Sequence, residues 1–155
     1  MTGIGKITHA FQILFQARRI TEHVITAGRY ESKSKHVTEK NFPIREIGEG
    51  LRDIVYLEFN SGTYVTSKEV LKEAQRQGLE RPLYEDALFF GEQYPEEQRK
   101  DPVVFLHEPW RRWWLGKLLV LVLQCHMCGK RAISLICFSE KWPSHCRFAF
   151  IRPTR

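Results

Sequence analysis

Two cysteines with the spacing of a metal-binding turn are the residues of this chain best suited to chemistry. Cys125 and Cys128 are separated by two residues and followed by Gly129 and Lys130. In a tight turn between strands, this spacing has the shape of a zinc knuckle, in which two thiolates reach one ion from adjacent loop positions. The pattern therefore indicates half of a zinc site.

The other half of such a site is irregular. A standard ribbon repeats the cysteine pair, but here Cys137 falls within a predicted strand and His145 directly precedes Cys146. Neighbouring side chains of an extended segment point to opposite faces, so His145 must be bent back by the loop before it. We expect either structural zinc held by Cys125, Cys128, His145 and Cys146, or free cysteines in the core and loops, where cysteine is commonly buried.

A second group combines aromatic rings with guanidinium groups between two predicted strands. It consists of Trp110, Arg111, Arg112, Trp113 and Trp114. Such a set can stack unpaired bases while its cations hold phosphates, or it can anchor a protein interface, where Trp and Arg are enriched. The alternative is that the Trp rings fold onto the sheet edge and leave the arginines solvated. With Lys130 and Arg131, these five residues form the predicted partner-binding or nucleic-acid-binding surface.

Arrangements typical of enzymes are poorly represented. The pair His107 and Glu108 is isolated, as is His126, and residues 109–155 contain a single acidic side chain, Glu140. There is no glycine-rich phosphate loop, nucleophile elbow or His-Glu-x-x-His motif in the sequence. A redox role for the cysteine pair would need a thiolate at a helix N-terminus, and no helix is predicted after Cys128. We therefore predict a protein that is not an enzyme.

The length of the chain and its charge distribution limit the number of domains and the class of partner. A chain of 155 residues, 43% of them hydrophobic, predicts one folded domain. Residues 1–45 hold 8 basic and 3 acidic side chains, residues 46–108 hold 7 and 14, and residues 109–155 hold 9 and 1. A polyanion would therefore meet the two ends of this small basic protein and avoid its middle. The alternative is that the three segments neutralise one another across the fold.

In the N-terminal half, apolar residues at three- and four-residue steps predict an amphipathic helix over residues 4–26. A pair of strands is the rival, because Phe11, Ile13 and Phe15 also alternate. Residues 29–43 have no apolar period and are predicted to be an exposed basic loop.

The acidic middle, residues 46–101, is predicted to hold a β-hairpin and two short helices. Strands 54–59 and 63–66 flank a polar break at residues 60–62. A capping box from Thr66 to Glu69 begins a helix at 67–77. A second helix is predicted at 82–94, with acidic residues near its N-terminus.

Residues 102–155 are predicted to form a basic antiparallel meander with strands near 103–107, 117–124, 131–138 and 146–151, because each connection looks too short for a parallel crossover. The run 118–123 is apolar on both sides, which predicts a central strand covered on both faces or buried by a second copy in a homo-oligomer. The predicted fold class is α+β, with an N-terminal helix, a hairpin and two helices packed on one face of a mainly antiparallel C-terminal sheet.

No segment reaches the 18 or so apolar residues that span a bilayer, so we expect no membrane association. Without a secretory signal, we expect a cytoplasmic location and reduced thiols. Two classes of function remain. We favour a protein-interaction module, such as an inhibitor or assembly subunit, and the alternative is a nucleic-acid-binding module with a possible zinc knuckle.

Overall fold

One mixed sheet of eight strands organises the part of the chain that the computed structural model describes, residues 4–46, 50–59, 62, 64–112 and 116–153. The order across this sheet is β1-β3-β10-β5-β7-β8-β2, with β6 also paired to β7, and β4 and β9 form a separate two-stranded ladder. The strands are β1 Gly5–Phe15, β2 Ser32–Lys33, β3 Gly50–Phe59, β4 Val65–Thr66, β5 Val103–Val104, β6 Trp110–Arg112, β7 Lys117–Cys125, β8 Arg131–Cys137, β9 Lys141–Trp142 and β10 Arg147–Ile151. The helices are α1 Thr21–Ala27, α2 Ser67–Arg76, α3 Tyr84–Gln93 and α4 Glu97–Lys100.

The predicted N-terminal helix is wrong, because the first element is the long strand β1. It pairs antiparallel with β3, and a bulge between Ile7 and Ala10 inserts one extra residue. A bulge reverses the faces that later side chains occupy. Ile7 therefore packs on one face of the sheet and Phe11 on the other. Their four-residue spacing imitated a helix, and only residues 21–26 of the predicted range are helical, as part of α1.

The predicted hairpin is also wrong. Strand β3 lies between β1 and β10, whereas β4 pairs with β9, so that Val65 faces Trp142. Residues 60 and 61 of the predicted turn, and residue 63 at the start of the second predicted strand, lie outside the described residues. The polar break therefore connects strands of two different sheets and is not the turn of a hairpin.

The two predicted helices are present, but they cover opposite faces of the sheet. The capping box that begins α2 is confirmed: the Thr66 hydroxyl accepts from the Glu69 amide at 3.2 Å, and the Thr66 amide donates to the Glu69 carboxylate at 3.0 Å. Apolar residues of α2 belong to one core and those of α3 to the other. The prediction that both helices share one face is wrong.

Strand β7 passes between these two cores. Leu121 and Leu123 point to the α3 side, while Val120 and Val122 point to the α2 side, and all four are buried. The prediction of a strand covered on both faces is confirmed. The chain itself supplies this cover. Leu118 is the one exposed residue of the run 118–123, so this run offers little surface for a homo-oligomer.

The predicted antiparallel meander fails at its last strand. Strand β10 does not follow β8 across the sheet but crosses to the other side of β5, where it runs parallel to β5 and antiparallel to β3. The connection from β8 packs Trp142 and Cys146 into the core on the α2 side. These two buried side chains hold the connection against the sheet, so it can cross from β8 to β10 despite its short length. Strand β2, within the predicted basic loop, adds a second parallel pair beside β8.

His107 is buried in the segment between β5 and β6. Its side chain, and not a backbone carbonyl, accepts a hydrogen bond from the β7 backbone. The Leu121 amide donates to His107 Nε2 at 2.9 Å, and His107 Nδ1 donates to the Glu108 carbonyl at 2.8 Å. These bonds assign the neutral ring with its proton on Nδ1. Burial is the main cause that lowers the pKa of His107, to about 4.

This histidine predicts an acid-sensitive fold. The unfolded chain binds a proton at His107 near pH 6.5, whereas the folded chain does so only near pH 4. Stability is therefore present above pH 6.5 and is lost as the pH falls towards 4, by about 3 kcal/mol for this group at about 1.36 kcal/mol per pKa unit. His107→Gln keeps an acceptor for the Leu121 amide but does not titrate. We expect urea unfolding between pH 4 and 7 to show a shallower pH dependence for this variant, and equal slopes would contradict the assignment.

Candidate functional site

The Trp/Arg cluster forms one arm of a β-hairpin. It was predicted to be a loop, but Trp110–Arg112 is strand β6, in which Trp110 pairs with Leu119, Arg111 with Leu118 and Arg112 with Lys117. Trp113 and Trp114 lie outside the described residues. We call the described surface the cationic hairpin, and it comprises Trp110, Arg111, Arg112, Lys117 and Leu118.

The Trp110 ring belongs partly to the core. Its centroid lies 5.5 Å from that of Phe42 and 5.6 Å from that of His36, and the side chain packs against the α3-side core. Rings at these distances contribute to packing beyond their buried area. The packed faces of Trp110 are therefore committed to the fold, and the ring holds the first strand of the cationic hairpin in place.

The cations near Trp110 lie on both faces of the cationic hairpin: Arg112 and its pairing partner Lys117 share the face of Trp110, and Arg111 shares the opposite face with Leu118. Arg111 and Lys117 are exposed, and Lys35 is exposed next to His36. Partial desolvation, followed by the positive charges of Arg112 and Lys35, lowers the pKa of His36, which shows that these groups lie close together. Among the described residues, no acidic side chain forms an ion pair with Arg111, Lys117 or Lys35.

Elsewhere, basic and acidic segments neutralise one another. Ion pairs join N-terminal cations to α3, with Arg19 at 2.6 Å from Glu92 and Arg45 at 2.7 Å from Glu85. From the C-terminal segment, Arg147 lies 3.5 Å from Glu97 and 3.8 Å from both Glu58 and Asp101. Mutual neutralisation thus accounts for part of the charge pattern but does not extend to Arg111, Lys117 and Lys35.

No protein-family model, no curated protein and no solved structure matches this chain. Its function is therefore inferred from the arrangement of its own residues. Within the described ranges, no helix is long and apolar enough to cross a membrane.

The two other predicted binding cations behave differently from each other. Lys130 is exposed in the β7–β8 turn, but Arg131 is only 3% exposed. The Arg131 guanidinium donates to the carbonyls of Gly28 and Gly91 and to the Gln98 side chain, and it lies over the Tyr30 ring. Arg131 is therefore a structural residue that a partner cannot reach.

The predicted zinc ligands are not brought together. Cys125 and Cys128 share the β7–β8 turn, His145 is exposed, and Cys146 is buried in the core on the α2 side. Strand β5 separates β10, which follows Cys146, from β7. Burial raises the pKa of the Cys146 thiol to about 12, so it stays protonated. Within the described part of the chain, no group of three or more His, Cys, Asp or Glu side chains could hold a metal ion.

A cleft of about 530 Å³ beside Arg131 has charged walls but no convergent reactive set. Several of its charged side chains are engaged in pairs: Arg99 lies 3.2 Å from Glu96, and Glu92 binds Arg19 at 2.6 Å. The Glu31 carboxylate accepts from the Arg131 amide at 2.7 Å. These groups serve the fold, and the cationic hairpin remains the strongest candidate site.

Sequence reasoning missed four residues at or beside this surface: Lys35, His36, Lys117 and Leu118. Lys117 and Leu118 follow the Trp/Arg cluster closely, so a hairpin prediction for residues 110–119 would have included them. Lys35 and His36 lie far away in sequence and reach the surface because β2 pairs with β8. A two-residue strand leaves no periodic signal, so nothing in the local sequence could have placed them there.

Proposed function

We propose that this protein is a non-enzymatic interaction module, an inhibitor or assembly subunit, that binds an acidic segment of a protein partner through the cationic hairpin. The observation that carries the proposal is that Arg111, Lys117 and Lys35 form no ion pair with an acidic side chain among the described residues, while Arg111 shares its face of the hairpin with the exposed Leu118. The remaining steps follow from charge and packing.

Charge selects the class of partner. Cations paired within the fold, such as Arg19 and Arg45, have little attraction left for a ligand, whereas Arg111 and Lys117 keep theirs. A surface with one sign of charge increases the association rate of the opposite charge and rejects like charge. The partner segment is therefore rich in Asp and Glu.

Leu118 favours a protein over a nucleic acid. It lies directly opposite Arg111 in the ladder and is 37% exposed. Protein interfaces place apolar side chains at their centre and surround them with Arg and aromatic residues. A phosphate backbone gains nothing from an exposed leucine, whereas an acidic segment that carries its own apolar residue does.

A nucleic-acid-binding module is the second candidate. The same cations could contact phosphates and release counterions from the nucleic acid. Base stacking is the weaker part of this alternative, because Trp110 already packs against Phe42 and His36. The two candidates differ in how binding depends on Leu118 and on salt.

Two probes separate these candidates: a fluorescent peptide of alternating Glu and Leu, and a fluorescent single-stranded oligothymidylate. We expect wild type to bind the peptide at low salt. Arg111→Ala/Lys117→Ala should weaken binding about fivefold, because two exposed ion pairs are worth about 0.5 kcal/mol each. Leu118→Ser should weaken peptide binding further and leave any oligonucleotide binding unchanged. Fluorescence anisotropy measures both affinities.

The matched control is Lys68→Ala/Lys72→Ala, which removes the same charge from two exposed positions of α2. It should keep wild-type affinity for the peptide. If the two double variants lose affinity equally, binding reflects net charge and the cationic hairpin is not the site. Oligonucleotide binding that weakens in Arg111→Ala/Lys117→Ala, with no peptide binding, would favour the second candidate.

A further inference from the structure

The turn between β7 and β8 is a well-defined loop. The His126 amide donates to the Lys130 carbonyl at 2.9 Å, and the Gly129 amide donates to the His126 carbonyl at 2.8 Å. Gly129 has φ +81, a left-handed conformation that glycine adopts without strain. This is the three-residue hairpin loop in which a tight turn is followed by a left-handed residue. Arg99 also donates to the Gly129 carbonyl at 2.7 Å, so α4 supports the loop.

Three sulphur side chains lie within this loop and at its base. Cys125 is the last residue of β7 and is half-buried, while Cys128 is exposed, and both are free thiols. Met127 lies between them and is fully exposed, at 108%. A large apolar side chain normally packs in a core, and a thioether in solvent contributes no packing energy. The thioether of Met127 is therefore accessible to an ion from solvent, as is the exposed thiol of Cys128.

We propose that this turn binds one soft monovalent metal ion of the copper(I) class, with the thiolates of Cys125 and Cys128 and the thioether of Met127 as ligands. Thiolate and thioether sulphur atoms are the ligands that copper(I) prefers. The two thiols lose their protons to solvent when the ion binds. The site is independent of the cationic hairpin.

The ligand set also separates copper(I) from zinc. Zinc in structural sites takes four ligands from Cys, His and carboxylates. The described residues provide no group of three such side chains, and Cys146 remains in the core. Copper(I) accepts the smaller, sulphur-only set that the turn offers. Cys125, Cys128 and Met127 are therefore sufficient ligands for a soft ion, although the two cysteines supply only half of a zinc site.

A competition titration tests this site. Reduced full-length protein is added, without oxygen, to copper(I) held by the coloured chelator bicinchoninate, and loss of the chelator colour reports transfer. We expect transfer of one copper(I) per chain. Cys125→Ser and Cys128→Ser should each abolish transfer, and Met127→Leu should lower the affinity because it removes the thioether ligand. Met127 is exposed, so this substitution leaves folding unchanged.

Cys137→Ser is the matched control. Cys137 lies at the far end of β8, about 20 Å along the strand from the turn. The Cys137→Ser variant should bind copper(I) as wild type does. The proposal is overturned if wild type removes no copper(I) from the chelator, if Cys125→Ser retains full transfer, or if Met127→Leu binds with unchanged affinity. Tighter binding of zinc than of copper(I), with two chains per ion, would also overturn it.

Discussion

Replacing Arg131 with Met is expected to lower the free energy of unfolding by about 4 kcal/mol or more, although sequence alone placed this residue on a binding surface. The guanidinium donates to the Gly28 carbonyl, to the Gly91 carbonyl at 3.0 Å and to the Gln98 side chain at 2.9 Å. Each buried acceptor left without a donor costs about 1 to 3 kcal/mol, and Met supplies no donor.

The Arg131 guanidinium is buried without a direct ion pair. No ion pair of Arg131 is found among the described residues. Gly28 caps the C-terminus of α1, and Gly91 lies in the last turn of α3. The C-terminal ends of helices carry partial negative charge, and the Tyr30 ring centroid, 4.6 Å away, adds a further favourable contact. Arg131 thus joins two helix ends to the start of β8.

The neighbouring residue supplies the control. Lys130→Met removes the same charge from an exposed position, and we expect it to change stability by less than about 0.5 kcal/mol. Urea unfolding followed by circular dichroism measures both variants. Equal stabilities of Arg131→Met and Lys130→Met would show that Arg131 does not hold these elements together.

The correct fold predictions rest on signals contained within single elements. The capping box from Thr66 to Glu69 is a local exchange of hydrogen bonds, so it identifies the start of α2 without knowledge of the tertiary structure. The run 118–123 is apolar at successive positions, a pattern that a strand covered on both faces accommodates. Both signals depend on residues close together in the sequence.

The failures depend on pairing between distant residues. The bulge in β1 is visible only in its register with β3, and without it the apolar spacing imitates a helix. The crossing of β10 to β5 depends on the packing of Trp142 and Cys146, which no local period reveals. In the candidate site, Trp110 to Arg112 could be identified from composition, whereas the contribution of Lys35 required the β2–β8 pairing.

The burial of charged residues was the other property that sequence could not predict, because charged side chains are almost never fully buried unless paired. Asp86 is fully buried near the start of α3, and its carboxylate accepts from Arg52 Nε at 2.7 Å, from Arg52 Nη2 at 2.9 Å and from the Leu83 amide at 2.8 Å. Burial raises the pKa of Asp86, and the Arg52 guanidinium opposes that rise.

Arg52→Met is therefore expected to lower the free energy of unfolding by about 3 to 5 kcal/mol, because it leaves a buried carboxylate without its cation. Adding Asp86→Asn should recover most of that loss, since the neutral amide still accepts from the Leu83 amide and carries no charge. Arg18→Met is the control, because its ion pair with Glu46 is exposed and worth less than about 1 kcal/mol. Urea unfolding of wild type, Arg52→Met, Asp86→Asn and the double variant gives the coupling energy. A double variant no more stable than Arg52→Met would show that the cost comes from lost packing of the arginine and not from the stranded charge.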